Sequence, residues 1–249
     1  MTLFCRPSPR GARTVAWAQL IVSSSTLVAI VAVGWPAIEA DAVARAAGRG
    51  DGAQPAQLTE QQKADFVRQY EALPKVNVPI DADGAKVLVV KFNDYQCPPC
   101  RQSFYDYKPI FAKYAKSGRV KFVLKHFPLE SECNAAIGGS MHPASCEAAA
   151  AVVMAQSNGT SDKLEEWFFA NQPSLTPDSV KQAAASVAGI SNYDAQYARA
   201  LTLVRTDAGL GALLGAKSTP TFVVNGHVIA GAMPAVLFEL AIEHELAKK

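Results

Sequence analysis

The chain has 249 residues, of which 49% are apolar and 18% charged. That composition excludes a disordered chain, which lacks the apolar groups to fold, and a multi-span membrane protein, which carries far fewer charges. Formal net charge is +2, and the charged residues before Glu39 are Arg6, Arg10 and Arg13 alone. The body is therefore close to neutral, which excludes a nucleic-acid binder, because such a protein needs a basic face to displace counterions from phosphates.

Residues 1–13 hold the arginines and read as a cytoplasmic n-region. Residues 14–35 are uncharged and mostly apolar, about 20 apolar residues being enough to cross a hydrocarbon core. Positive charge holds the preceding end in the cytoplasm, so the rest of the chain should face outward. The segment reads as a retained signal anchor. The alternative is a long signal peptide, for which Ala42-Val43-Ala44 offers a small-x-small cleavage pattern. Cys5 reads as incidental. Residues 36–57, rich in Ala, Gly, Asp and Arg, read as a flexible linker.

Thr59 and Gln62 then make a capping box. Phe66, Val67, Tyr70 and Leu73 follow at helical spacing until Pro74 stops the helix. Residues 86–92 (KVLVVKF) form a short β-branched run, the pattern of a buried strand. After a break at residues 93–100, Phe104, Tyr107, Phe111 and Tyr114 mark an amphipathic helix that Gly118 ends. Residues 120–127 read as a second strand, and strand–helix–strand implies a parallel pair. From residue 128 to about 217 the signals are helical, near 143–157, 161–171, 177–188 and 194–214. Residues 221–225 and 227–230 flank Asn225-Gly226, a strong two-residue hairpin signal, so they are expected as antiparallel edge strands. A helix from Ala235 to Ala247 closes the chain.

Five cysteines occur: Cys5, Cys97, Cys100, Cys133 and Cys146. Four fall on the outward side, where disulfides persist. Cys97-Pro98-Pro99-Cys100 lies between a strand and a helix, the context in which a C-x-x-C reads as a redox pair. Cys97 falls at the helix N-cap, with Pro98 and Pro99 at positions whose N–H groups would be unpaired in any case. The sulfur there can accept a backbone N–H, and Pro99 leaves that of Cys100 as the donor. The helix dipole adds positive potential at the same point. Cys97 is thus the expected nucleophile, as its thiolate, and Cys100 the resolving thiol. With a single local donor, an extreme oxidant is not expected. A soft-metal site built from the four outward cysteines is the alternative use of these residues.

Cys133 and Cys146 are read as a stabilising bridge, with a redox relay as the alternative. His142, in the loop between them, has no second histidine nearby and is read as a surface residue. Thr219-Pro220-Thr221 precedes the hairpin, and a proline at a strand start is ordinary in itself.

Taken together, FNDYQCPPCRQ, KFVLKHFPL and STPTFVVNGHVIAG resemble the DsbA-like branch of the thioredoxin superfamily. In particular they are similar to extracytoplasmic thioredoxin-like domains found with vitamin K epoxide reductase homologues. The resemblance implies an α/β thioredoxin fold over residues 58–249, interrupted by a helical subdomain at about 129–216. It implies that Pro220 is a cis-proline beside the redox pair, and that the backbone of Thr219 pairs with a bound substrate segment as an added strand. Threonine at that position is similar to what reductive and isomerising relatives use. No counterpart of the buried proton-relay acid of thioredoxins is legible, and Asp94, the nearby acid, is read as solvent-facing.

The function so implied is an extracytoplasmic thiol–disulfide oxidoreductase that introduces disulfides into exported proteins. Its partners would be exported protein or peptide thiols and a membrane redox protein, vitamin K epoxide reductase-like or DsbB-like. The alternatives are a disulfide reductase or isomerase, including one for apocytochrome cysteines, and a non-enzymatic soft-metal-binding module. No cofactor, metal or nucleic acid is expected in the favoured reading.

Overall fold

The computed structural model describes residues 58–248. The n-region, the anchor or signal segment, the linker and Cys5 lie outside the described residues. Among the described residues, no helix is long and apolar enough to cross a membrane.

Helix α1 (Glu60–Glu71) starts at the capping box: Thr59 Oγ1 accepts the Gln62 N–H at 3.2 Å, and Gln62 Oε1 accepts the Thr59 N–H at 2.8 Å. It buries Phe66 and Tyr70. Strand β1 (Val87–Asn93) is buried along its whole length, and helix α2 (Pro98–Ala115) follows it. Strand β2 (Val120–His126) runs parallel to β1, in register from Val87 opposite Val120 to Asn93 opposite His126. Strands β3 (Thr221–Val224) and β4 (His227–Ala230) complete a four-stranded sheet in the order β2-β1-β3-β4.

The hairpin corrects one expectation: β3 is an inner strand, antiparallel to both β1 and β4, so β4 alone of the two is an edge. The burial patterns give the reason. All four residues of β3 are buried, so it needs cover on both sides, whereas β4 alternates as a half-covered edge does. Asn225 (φ 45°) and Gly226 (φ 91°) form the tight turn. A side chain at Gly226 would start 2.5 Å from the Val76 carbonyl oxygen, so glycine serves both the torsion and the close approach.

Between β2 and β3 lie helices α3 (Ser145–Gln156), α4 (Ser161–Ala170), α5 (Pro177–Ser186) and α6 (Tyr193–Leu213), with a 3₁₀ turn at Gln172–Ser174. Alanine-rich α3 is buried nearly all round, because its small side chains let the other helices approach from several directions. Helix α6 returns to the sheet. At Gly211 an added Cβ would lie 2.6 Å from the Phe127 ring and 2.9 Å from Phe92, so glycine permits that contact. Helix α7 (Ala235–Ala247) packs beside α2, where Phe238 stacks on Tyr107 with ring centroids 4.2 Å apart. Tyr95, Cys97 and Cys100 share one buried cluster with α3, Phe168 and Phe169 of α4, and the Cys133–Cys146 pair. The redox pair therefore sits at the seam between sheet and helical block.

Candidate active site

Cys97 is the N-cap of α2, with Pro98 and Pro99 in the first turn and Cys100 next. Both thiols are free and buried, Cys97 at 4% exposure and Cys100 at 0%. The Cys97 thiol donates to the Thr219 carbonyl at 3.0 Å. The Thr219–Pro220 peptide is cis and lies across from the pair. The Cys100 sulfur accepts the Asp94 N–H at 3.5 Å.

One expectation about the cap needs correction. The Cys97 side chain makes no capping hydrogen bond; the Cys100 N–H donates to the Cys97 carbonyl at 3.0 Å instead. The first turn closes on backbone, and the sulfur looks sideways to the Thr219 loop. Even so, the Cys97 thiol is held down to about 6. The main cause is a hydrogen bond from the Cys100 thiol, burial opposes it, and the Thr219 hydroxyl and the nearby Cys100 amide dipole add smaller pulls. Thr219 Oγ1 is buried and has no other hydrogen-bond partner among the described residues, so it is available to the ionised sulfur. Cys100 is pushed well above the usual thiol range, chiefly by burial and then by Cys97 itself. The two thiols are thus split into a reactive anion and a reluctant one.

Asp94 is not solvent-facing. It is 1% exposed, because its carboxylate collects three donors that the active-site loop needs to place. Oδ1 accepts the Gln96 N–H at 2.7 Å, and Oδ2 accepts the Leu129 N–H at 2.6 Å. Oδ2 also lies 2.9 Å from His142 Nδ1. His142 is accordingly half-buried and ion-paired rather than a free surface residue, and the Asp94 contact raises its pKa. Gln96 ties the same two loops together, since its Oε1 accepts the Ala144 N–H at 2.7 Å. Gln172 donates to the carbonyls of Tyr95 at 2.8 Å and Cys97 at 3.1 Å, and Arg101 donates to the Phe169 carbonyl at 2.7 Å. The helical block thereby braces the redox loop from three directions.

Behind Cys100 sits Lys91, a β1 side chain at 8% exposure. Its ammonium faces the Phe169 ring at 5.6 Å and attracts Glu165 of α4 and both thiolates, while burial pulls its pKa down. Tyr95 donates to Glu165 Oε1 at 2.9 Å. Lys91 and Glu165 line a cavity of about 320 Å³ together with Val89, Phe104 and Phe122. A lysine inside the apolar run of residues 87–92 (VLVVKF) is the available signal, but a strand pattern does not say which charge it meets.

Cys133 and Cys146 are joined by a disulfide. Glu130 braces that loop, its Oε2 accepting the Cys146 N–H at 3.3 Å and its Oε1 the Ser140 hydroxyl at 3.2 Å. The structure thus brings Cys97, Cys100, Thr219 and Pro220 to one point and sets the bridge in the adjoining loop.

A thioredoxin family model matches residues 80–244. Among curated proteins, the Na(+)/H(+) antiporters NhaA 1 of Mycobacterium sp. (strain KMS) and NhaA 3 of Salinispora tropica are similar. The first is 29% identical over 164 residues, covering 64% of this chain and 25% of that protein; the second is 26% identical over 167 residues, covering 63% and 24%. The chain thus spans about a quarter of the length of the curated relatives it matches. Among solved structures, oxidised BdbD of Bacillus subtilis is 26% identical, covering 72% of this chain and 95% of that one with a TM-score of 0.52. A periplasmic thioredoxin-like protein of Salmonella enterica serovar Typhimurium is 23% identical, covering 78% and 100% with a TM-score of 0.53, and supports the fold alone.

Proposed function

This chain belongs to the thioredoxin family, and on that premise we propose that it is a thiol–disulfide oxidoreductase that oxidises substrate dithiols through Cys97 and Cys100. The observation that carries the reading is the Cys97/Cys100 dithiol at the start of α2 set against the cis Thr219–Pro220 peptide, with the Cys97 sulfur 3.0 Å from the Thr219 carbonyl; there Cys97 is held down to about 6 and Cys100 is pushed up. A dithiol whose nucleophilic member is stabilised as thiolate favours its reduced form, so its disulfide tends to oxidise others.

The reaction starts from the Cys97–Cys100 disulfide. A substrate thiolate attacks the Cys97 sulfur, forming a mixed disulfide and expelling Cys100 as thiolate. The Asp94 N–H and the Lys91 ammonium receive that charge, and the high pKa of Cys100 draws a proton onto it. The substrate's second thiolate then attacks its own sulfur in the mixed disulfide. A substrate disulfide forms, Cys97 leaves as thiolate, and two electrons have moved from substrate to the protein's pair. The Thr219 carbonyl, beside the cis peptide and 3.0 Å from the Cys97 sulfur, is placed to pair with the backbone of the substrate segment. A membrane redox partner returns the pair to the disulfide.

The domain is proposed to act outside the cytoplasm, tethered by the apolar segment at residues 14–35. The Cys133–Cys146 disulfide supports that compartment, because such bonds persist where the medium is oxidising. Transport is not carried over from the antiporters, since the matched stretch is a quarter of those proteins.

Equilibration with glutathione buffers tests the direction. A midpoint of roughly −120 to −180 mV supports the oxidase, and one near about −270 mV turns the reading to a reductase. Cys97→Ser should abolish peptide oxidation, and retained activity would remove Cys97 as the nucleophile.

A further inference from the structure

The register of β1 and β2 sets Val89 opposite Phe122 and Lys91 opposite Leu124, and alternate residues of a strand share one face. These four side chains line the cavity of about 320 Å³ together with Phe111 of α2 and Glu165 of α4. That volume falls in the range of small-molecule sites, about 300–1,000 Å³. We propose that the cavity binds a small neutral phenol, its ring against Phe111 and Phe122 and its hydroxyl between Lys91 and Glu165. The site is separate from the thiol chemistry, and its binding does not depend on the direction in which the redox pair works.

Two observations carry this. The first is Lys91 itself. It is 8% exposed, yet its ammonium has no hydrogen bond among the described residues. It meets the face of the Phe169 ring at 5.6 Å and feels the charges of Glu165 and the thiols at longer range. A buried ammonium without an acceptor is costly, and an oxygen brought into the cavity supplies one. The second is Glu165. Its Oε1 accepts the Tyr95 hydroxyl at 2.9 Å, while its Oε2 has no hydrogen bond among the described residues. One phenol, that of Tyr95, already serves this carboxylate, and a second can serve the other oxygen. A hydroxyl both accepts and donates, so a single oxygen answers the ammonium and the carboxylate together. Lys91 and Glu165 attract each other without closing to an ion pair, which leaves the place between them open.

Charge selects a neutral ligand. Asp162, Glu165 and Glu166 line the cavity against Lys91 and Lys108, so an anion would meet more negative than positive charge. Lys108 is also engaged at the rim, its ammonium 3.3 Å from Glu166 Oε1. The walls select an aromatic one. The Phe111 and Phe122 rings stand 4.5 Å apart by centroid, and Phe104 adds a third ring, so a flat ring finds edges and faces to pack against. A bare hydrocarbon would fill these walls but leave both charges as they are. Lys91 favours the Cys100 thiolate, so a ligand bound to its ammonium lies one side chain from the redox pair. Sequence spacing hides the site, since its walls come from β1, α2, β2 and α4.

The test uses the full chain with its cysteine pairs oxidised, titrated calorimetrically near neutral pH with para-ethylphenol, ethylbenzene and para-ethylbenzoate. The phenol should bind one to one and at least about tenfold more tightly than either of the others. Lys91→Met should erase the preference for the phenol over ethylbenzene. Leu124→Trp, which fills the cavity from a half-buried strand position, should weaken the phenol at least about tenfold, and circular dichroism shows which variants are folded. Absence of phenol binding, equal affinity for ethylbenzene or tighter binding of the benzoate would overturn the site. So would a preference that survives Lys91→Met or a phenol affinity unchanged in folded Leu124→Trp.

Discussion

Asp94 Oδ2 stands 2.9 Å from His142 Nδ1 while the same oxygen accepts the Leu129 N–H at 2.6 Å, so one buried carboxylate ties the loop before Cys97 to the loop of the disulfide. Asparagine offers one acceptor where aspartate offers two and would turn an N–H₂ toward one of the donors. Asp94→Asn should therefore lower stability by about 2–3 kcal/mol, read from urea midpoints. His142→Ala should act differently. It removes a cation that the Cys97 thiolate favours, so the midpoint for Cys97 alkylation should rise. An unchanged midpoint would separate His142 from the chemistry.

The pH dependence of Cys97 follows from its value of about 6. Iodoacetamide reactivity should rise through pH 6 and level off above it, while Cys100 stays unreactive in the same range. Linkage gives the sign for stability. The folded value lies below that of an unfolded thiol, about 8.5, so the contribution to the reduced protein is complete above about pH 8.5. It is lost as pH falls through 6. Melting temperatures of the reduced form, measured against the oxidised form, should decline over that window, and a flat difference would contradict the ionisation.

Lys91 and Glu165 share a cavity wall, so each loses its counter-charge when the other is neutralised. Glu165→Gln should cost about 2–4 kcal/mol, whereas Lys91→Met with Glu165→Leu should recover most of that loss. The lysine also favours the Cys100 thiolate. Lys91→Met should accordingly slow the release of glutathione from a Cys97 mixed disulfide, in stopped-flow assays, more than it slows the formation of that adduct.

The Cys133–Cys146 bridge closes a loop with a sequence separation of 13 residues. Replacing both with alanine should cost about 3 kcal/mol of stability and leave peptide oxidation at low temperature nearly unchanged. A large loss of turnover in a still-folded variant would assign the bridge to electron transfer.

Much of the architecture is legible along the chain because its causes are local. A capping box at Thr59 and Gln62, a β-branched run at residues 87–90, two prolines after Cys97 and the pair Asn225-Gly226 each act within one turn, so reading neighbours suffices. Strand type and cysteine spacing pointed to the redox loop for the same reason. What the tertiary structure alone decided are the meetings of side chains that no period connects. Asp94 reaches His142 across 48 positions, and Gln172 reaches the Tyr95 carbonyl across 77. The inner place of β3 and the convergence of His227 with Glu71 and Glu245 belong here as well. These depend on which faces pack together when apolar surface leaves water, and the partners of a buried charge are chosen by that packing rather than by its neighbours in sequence.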